Sequence, residues 1–309
     1  MIRLPLPHPL DFDWRYDDDT AQALTVLLQS YSPVVAIGAP TVARLLEAVG
    51  ADVTLVDRQP IQGVRRHIVS DASDFTTDDR YKAAIVDPPW YPAQLTSWTE
   101  ASARAVGVGG TVFVSIWPHT TRPRAATEAS QALNEFSRWA HIQRNIATLR
   151  YAEPHFETIA REVGGDAELS RSPLEGELIR LDVQAVPPVI SKKNAPAQWL
   201  RITIDDYQLA VRRRPDSGLT QIEPVFPQDG WRWRYVSARA PGIEQIDLWS
   251  SLGEVAKLGS SDQLITALRR ALHTTNRDAF ERELASMPQL LSWCIPRPPF
   301  RRVIEWQHR

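Results

Sequence analysis

The stretch Val34-Val35-Ala36-Ile37-Gly38-Ala39-Pro40-Thr41-Val42 places four apolar residues before a glycine and then opens a helical pattern. A continuous short apolar run of this kind reads as a strand buried on both faces. The helix that follows carries Val42, Leu45, Leu46 and Val49 on one side. Asp52 to Val56 reads as a second strand ending at Asp57, Val64 to Ser70 as a third, and Ala83 to Val86 as a fourth ending at Asp87. A helical pattern over Pro92 to Val106 stops at Gly107, Gly109 and Gly110. Thr111 to Trp117 is a fifth strand and Pro123 to Trp139 a further helix. His141 to Leu149 and Leu178 to Val186 are the last two strand candidates. Strands alternating with helices across short links imply a mostly parallel sheet covered by helices on both faces. The expected fold is therefore α/β, with a mostly parallel, seven-stranded sheet. Ligands in such sheets bind at the carboxyl ends of the strands. Gly38, Asp57, Asp71 or Asp74, and Asp87 all fall at such ends.

Upstream, Thr20 to Tyr31 has helical spacing, with Asp17, Asp18 and Asp19 before it to cap the helix and favour its dipole. Downstream, residues 187–197 (PPVISKKNAPA) read as a linker. Beyond it, Trp199 to Arg212 suggests one or two strands around Asp205-Asp206, Trp231 to Val236 and Gln245 to Trp249 suggest further strand, and Ser261 to Leu272 and Arg277 to Ser286 read as amphipathic helices. The expected organisation is a domain over 1–190 and a smaller α+β extension over 191–309.

Charge divides along the same line. The chain has 309 residues and a formal net charge of −2. Residues 1–191 hold 17 Lys and Arg against 24 Asp and Glu; residues 192–309 hold 18 against 13. Only four of the basic residues are lysines, and six of the 11 tryptophans lie in the basic part. A single cysteine, Cys294, excludes a disulfide framework or a cysteine-based zinc cluster, and no metal site is expected. Cys294 sits among apolar neighbours and reads as buried and inert. No apolar run reaches the roughly 20 residues of a membrane span, and Met1 to Leu10 lacks the apolar core of a signal peptide. The chain is expected to be soluble and cytoplasmic.

Asp87-Pro88-Pro89-Trp90-Tyr91 is the segment richest in chemistry. Two consecutive prolines fix two φ angles and remove two donors, leaving a rigid arch of carbonyls at a strand tip. The Asp87 carboxylate and the Pro88 carbonyl suit the two N–H bonds of an exocyclic amine, and the Trp90 indole suits its ring. This segment resembles motif IV, [D/N/S]-P-P-[Y/F/W], of the class I amino-methyltransferases, which use S-adenosylmethionine and a Rossmann-like α/β fold. The DPPW form looks like that of the RNA adenosine methyltransferases. Asp13-Trp14-Arg15-Tyr16-Asp17-Asp18-Asp19-Thr20-Ala21 and the 35–42 stretch resemble the probable N6-adenine methyltransferase families, some members of which act on lysine. The resemblance covers roughly residues 11–186.

It implies a catalytic set of Asp87, Pro88, Pro89 and Trp90, with Trp90 and Tyr91 on the substrate. It implies cofactor binding by Gly38, Ala39, Pro40, Asp57 and Asp71. Here the usual glycine-rich loop keeps only Gly38. Asp57, 19 residues after Gly38, matches the acidic residue that holds ribose hydroxyls at an interval of about 20. The implied reaction is transfer of a methyl group from S-adenosylmethionine to the exocyclic amine of adenine in RNA or DNA. The alternatives are a protein amine such as lysine, or a non-enzymatic binding or scaffold subunit. Arg212-Arg213-Arg214, Trp231-Arg232-Trp233-Arg234 and Pro298-Pro299-Phe300-Arg301-Arg302 suit phosphate contact and base stacking. They equally suit a half-buried strand with solvated arginines. His119 reads as a loop histidine.

Overall fold

A computed structural model describes residues 4–11, 13–119, 121–165, 174–189, 198–214, 222–235, 240–293 and 295–308. The expected linker lies mostly outside the described residues, and Cys294 lies wholly outside them. Two sheets organise the chain. The first contains β1 (Arg15–Tyr16), β2 (Val34–Ile37), β3 (Val53–Asp57), β4 (Arg66–Val69), β5 (Ala83–Val86), β6 (Thr111–Ile116), β7 (Ala140–Ala152) and β8 (Leu174–Val183). Their order is β1-β7-β8-β6-β5-β2-β3-β4. The β2, β3, β4, β5 and β6 pairings are parallel, and β8 runs antiparallel between β6 and β7.

The sheet has eight strands where the sequence pattern suggested seven. The additional one is β1, whose Arg15 and Tyr16 pair with Ala152 and Tyr151. Two residues show no periodicity, so only the partner strand reveals them. The long β7 breaks register between Gln143 and Ala147.

The helices of this part are α1 (Asp18–Leu28), α2 (Pro40–Ala48), α3 (Pro92–Val106), α4 (Ala125–Phe136) and α5 (His155–Gly164). Among Asp17, Asp18 and Asp19 it is Asp17 that caps α1, accepting the Thr20 N–H at 2.8 Å. Strand residues alternate between two cores. Val34, Ala36 and Ile85 meet Leu24 and Leu28 of α1 and Val42 and Leu46 of α2. Val35, Ile37, Val86 and Val114 meet Leu95 and Trp98 of α3 and Phe136 of α4.

The second sheet is antiparallel. It contains β9 (Trp199–Ile204), β10 (Tyr207–Arg212), β11 (Ile222–Glu223), β12 (Leu248–Ser250), β13 (Val255–Leu258) and β14 (Val303–His308), in the order β11-β13-β12-β10-β9-β14. The β9–β10 hairpin turns at Asp205-Asp206, as the pattern suggested, with Asp205 at φ 54°. Of the strand expected over Trp231 to Val236, the described residues 231–235 form only an isolated bridge between Arg232 and Glu254. There Trp233 turns into the core, stacked on Phe226. The helices α6 (Ser261–Leu272), α7 (Arg277–Glu283) and α8 (Pro288–Leu291) cover one face of this sheet through Leu264, Leu268, Phe280 and Leu290.

The strand tips converge on Gly38. Its N–H donates to the Val56 carbonyl at 3.0 Å, and the Asp87 N–H donates to the Ile37 carbonyl at 3.0 Å. Gly38 has φ +64°, and a Cβ there would lie 2.5 Å from the Trp98 ring and 2.8 Å from the Asp87 carbonyl oxygen. Gly38→Ala therefore combines a left-handed backbone with overpacking. It is expected to cost about 2–4 kcal/mol in chemical denaturation, and a cost under about 0.5 kcal/mol would show that the three tips are not held this closely.

Candidate functional site

A cleft of about 540 Å³, counting its open mouth, lies over these tips. Its floor comes from the strand ends: Gly38 after β2, Val56 and Asp57 at the end of β3, and Asp87, Pro88, Pro89 and Trp90 after β5. Its sides come from Ser70 and Ala72, from Trp98 of α3, and from Asp11, Asp13 and Trp14 of the N-terminal segment.

At the first end of the cleft, Asp57 accepts the Gln59 N–H on Oδ1 at 2.8 Å. Its carboxyl is pushed up to about 7. Burial is the largest cause; the Gln59 N–H opposes it, Asp13 and Asp11 add to it, and Arg15 works against it. Arg58 lies between Asp11 at 3.7 Å and Asp71 at 3.5 Å. Asp71 is spent on structure: its Oδ1 accepts the Ser73 N–H at 2.8 Å and caps the short turn Ala72–Asp74. Asp71 does not line the cleft, whereas Ser70 and Ala72 on either side of it do. Ala39 and Pro40 are buried at the start of α2, behind the floor.

At the other end, Asp87 Oδ1 accepts from the Tyr151 hydroxyl at 3.2 Å. The Tyr16 hydroxyl and Ser115 Oγ share a hydrogen bond beside it. Burial, first, and then the nearby Asp13 raise the Asp87 carboxyl well above the usual carboxylate range, against hydrogen bonds from Tyr151, Tyr16 and Ser115. The Trp90 ring is offset-stacked on Trp14, with centroids 5.2 Å apart and planes at 20°, and Tyr151 stands edge-on to it at 5.3 Å. Tyr91 caps α3 and is outside the cleft lining. His119 is exposed in the turn after β6.

Of the residues singled out from sequence, the fold brings together Gly38, Asp57 and Asp87 to Trp90. Pattern reading missed Asp11, Asp13, Trp14, Gln59, Trp98 and the Tyr16–Ser115–Tyr151 group. Asp13, Trp14 and Tyr16 lie in the segment that carried the upstream resemblance. Their roles depend on β1 pairing with β7, which periodicity does not reveal.

Several guanidinium groups of the second part have partners within the protein. Arg212 lies over the Trp199 ring at 4.5 Å and donates to the carbonyls of Glu244 and Ile243. Arg214 pairs with Asp247, Arg232 with Glu162 at 3.6 Å, and Arg234 with Asp229. The backbone N–H groups of Arg301 and Arg302 both donate to Asp205 Oδ1 at 3.0 Å. Among the described residues, no helix is long and apolar enough to cross a membrane.

No family model and no curated protein sequence matches the chain. Solved structures do. A mutein of the branched-chain polyamine synthase of Thermus thermophilus, in complex with N4-aminopropylspermidine and 5'-methylthioadenosine, aligns at 15% identity and a TM-score of 0.50, over 62% of this chain and 64% of that one. The chain thus spans just under two thirds of that protein's length. An N-methyltransferase of Bradyrhizobium japonicum bound to S-adenosyl-L-homocysteine aligns at 12% identity over 54% of this chain and 86% of that one, with a TM-score of 0.35. A 16S ribosomal RNA guanine-N2 methyltransferase of Thermus thermophilus aligns at 14% identity over 71% and 55%, with a TM-score of 0.38. The strand order and the first of these likenesses identify the expected fold, the α/β Rossmann-like fold of class I methyltransferases, with one strand added at its edge.

The Asp57 shift has a sign that stability measurements read. A carboxyl near 7 in the folded state and near 3.8 otherwise binds a proton on folding between those values. Its stabilising contribution is complete below about 4 and lost as pH rises to about 7. Asp57→Asn keeps the acceptor for the Gln59 N–H and removes the charge. It is expected to raise stability at pH 8, by on the order of 1–2 kcal/mol after solvent screening, relative to its effect at pH 4. Equal effects at the two pH values in paired thermal melts would contradict the assignment.

Proposed function

We propose that this protein is an S-adenosylmethionine-dependent N-methyltransferase whose acceptor is the exocyclic amine of adenine in RNA or DNA. The observation that carries the reading is the juxtaposition of Asp57 and the Asp87–Trp90 arch across one cleft at the tips of adjoining strands. The lining is compatible with the cofactor. Asp57 is a buried acceptor suited to ribose hydroxyls, and Val56, Ala72 and Trp98 offer apolar surface to a purine. Gly38, Asp57 and the surfaces beside them would hold it. When bound, it supplies a methyl group already made electrophilic by sulfonium.

The chain's own work is then positional. Asp87 and the Pro88 carbonyl accept the amine N–H bonds and aim the nitrogen lone pair. An N–H donor at Asp87 also lowers the carboxyl from its raised position. The Tyr151 hydroxyl holds one carboxyl oxygen, leaving the orientation of the other defined. A base in a duplex must leave the stack to reach this depth, where one face of Trp90 is already covered by Trp14.

One observation favours a second reading, in which the acceptor is a protein amine such as lysine. Among the described residues, four carboxylates, Asp11, Asp13, Asp57 and Asp87, line the cleft against one cation, Arg58. That balance suits a positively charged amine better than a polyanion, and several arginines of the 191–309 part already have partners. A binding or scaffold subunit without activity is the third possibility, and retention of both Asp57 and the full DPPW arch speaks against it.

Calorimetry and label transfer separate these. Binding of S-adenosylmethionine is expected, and no binding at millimolar cofactor would sink both enzymatic readings. Tritiated methyl groups are expected in the nucleic-acid fraction of a host lysate; label confined to protein replaces adenine with lysine. In either case Asp87→Ala should lower transfer on the order of 10²-fold or more while leaving cofactor affinity nearly unchanged. A comparable loss of cofactor affinity would move Asp87 off the acceptor side.

A further inference from the structure

The wall of the cleft nearest Asp57 is held from outside its own domain. Gln59 is 4% exposed and does two things there. Its N–H holds Asp57 Oδ1, and its side-chain Nε2 donates to Asp13 Oδ2 at 2.9 Å. Its Oε1 is met by Gln208 Nε2 at 3.3 Å and by Arg15 Nη2 at 3.4 Å. Gln208 belongs to β10 of the second sheet and is fully buried. Its Nε2 also donates to the Leu6 carbonyl at 2.7 Å, and its Oε1 accepts from Arg201 Nη2 at 2.6 Å. Arg201, on β9 and also fully buried, pairs with Asp11 at 2.9 Å and lies over the Trp306 ring at 4.7 Å.

The direction of every amide in this chain is dictated. A guanidinium only donates, so Gln208 must turn its oxygen to Arg201 and its NH₂ to Gln59. Gln59 must then turn its oxygen to Gln208 and Arg15, which leaves its NH₂ for the carboxylate of Asp13, an acceptor only. Reversing any amide would set two donors or two acceptors face to face in a buried site, at the full desolvation cost of each.

We propose that Gln208 is a positioning residue for the cofactor: from the second domain it orients the Gln59 amide and thereby holds Asp13 and Asp57 at the cleft. The proposal rests on the cofactor reading above. It makes the second domain part of the binding wall as well as a candidate for target recognition. It also couples cofactor binding to the docking of the two domains, reciprocally.

Two variants test it. Gln208→Met keeps the volume and removes both polar groups. Gln208→Glu keeps the acceptor for Arg201 and removes the donors to Gln59 and to the Leu6 carbonyl. Affinity for S-adenosylhomocysteine is measured by calorimetry from pH 5.5 to 8.5. The titratable and charged groups facing Asp57 are Asp11, Asp13 and Arg15 of the N-terminal segment, Arg58 beside it, and His67 of β4, whose ring nitrogen lies 3.3 Å from the Asp57 carbonyl and whose burial disfavours its charged form. Both variants are expected to lose about fivefold in affinity, the worth of one hydrogen bond. The pH midpoint of binding should move upward as Gln59, whose backbone N–H donates to Asp57, loses its side-chain anchor. Unchanged affinity and midpoint in a variant with a lowered melting temperature would reduce Gln208 to interface packing and overturn the proposal.

A second arm needs no ligand. Thermal stability is measured for Gln208→Met, Asp57→Asn and the double variant at pH 5 and pH 8. Non-additivity that changes with pH is expected, and strict additivity at both would overturn the proposal. If the wild-type chain binds no S-adenosylhomocysteine, the cofactor reading fails while this arm still decides the role of Gln208.

Discussion

The close approach of three strand tips at Gly38 is the constraint on which the rest of the site depends. The Asp87 carbonyl and the Trp98 ring both occupy the space a Cβ would need. Only a glycine at positive φ lets β2 turn there into α2 while β3 and β5 stay in register on either side. That contact brings Asp57 and Asp87 to the floor of one cleft. A loop with more glycines would give a ligand closer access. Here Ala39 and Pro40 are buried instead, and the one glycine serves the protein's own packing.

The two carboxyls at the ends of the cleft have different surroundings. Asp57 is met by a backbone N–H, a nearby arginine and two further carboxylates. Asp87 is met by hydroxyls and aromatic rings from β1, β6 and β7. Both are raised chiefly by burial, so each presents an acceptor whose charge is costly until a donor arrives. Perturbed carboxyls gathered in a cleft mark a candidate functional site. Their separation into a polar, charged end and an aromatic end is what suits a ribose at one and a planar or cationic amine at the other.

How much of this could be read in the sequence follows from the range of the interactions. The strands over 34–37, 53–57, 83–86 and 111–116 announce themselves because each is continuous and apolar, and Asp57 and Asp87 follow at their ends. The helix over Pro92–Val106 is legible for the same local reason, between a proline and a glycine. What stayed hidden depends on long-range pairing. Tyr16 meets Tyr151 across 135 residues of chain through a two-residue strand. Trp14 reaches Trp90, and Arg201 reaches Asp11 across 190 residues. The interleaved arginines and tryptophans at 231–234 suggested a strand, but Trp233 fills a core and Arg234 turns to Asp229. Composition marks such residues without saying which partner each has.

The central claim is that the Gly38–Asp57–Asp87 cleft is a nucleoside-type cofactor site facing an amine acceptor. The most direct measurement is the crystal structure of the chain grown with S-adenosylhomocysteine. The account predicts its ribose hydroxyls on Asp57 and its sulfur toward the Asp87–Trp90 arch. Ligand density elsewhere on the chain, or in this cleft with Asp57 unengaged, would contradict it.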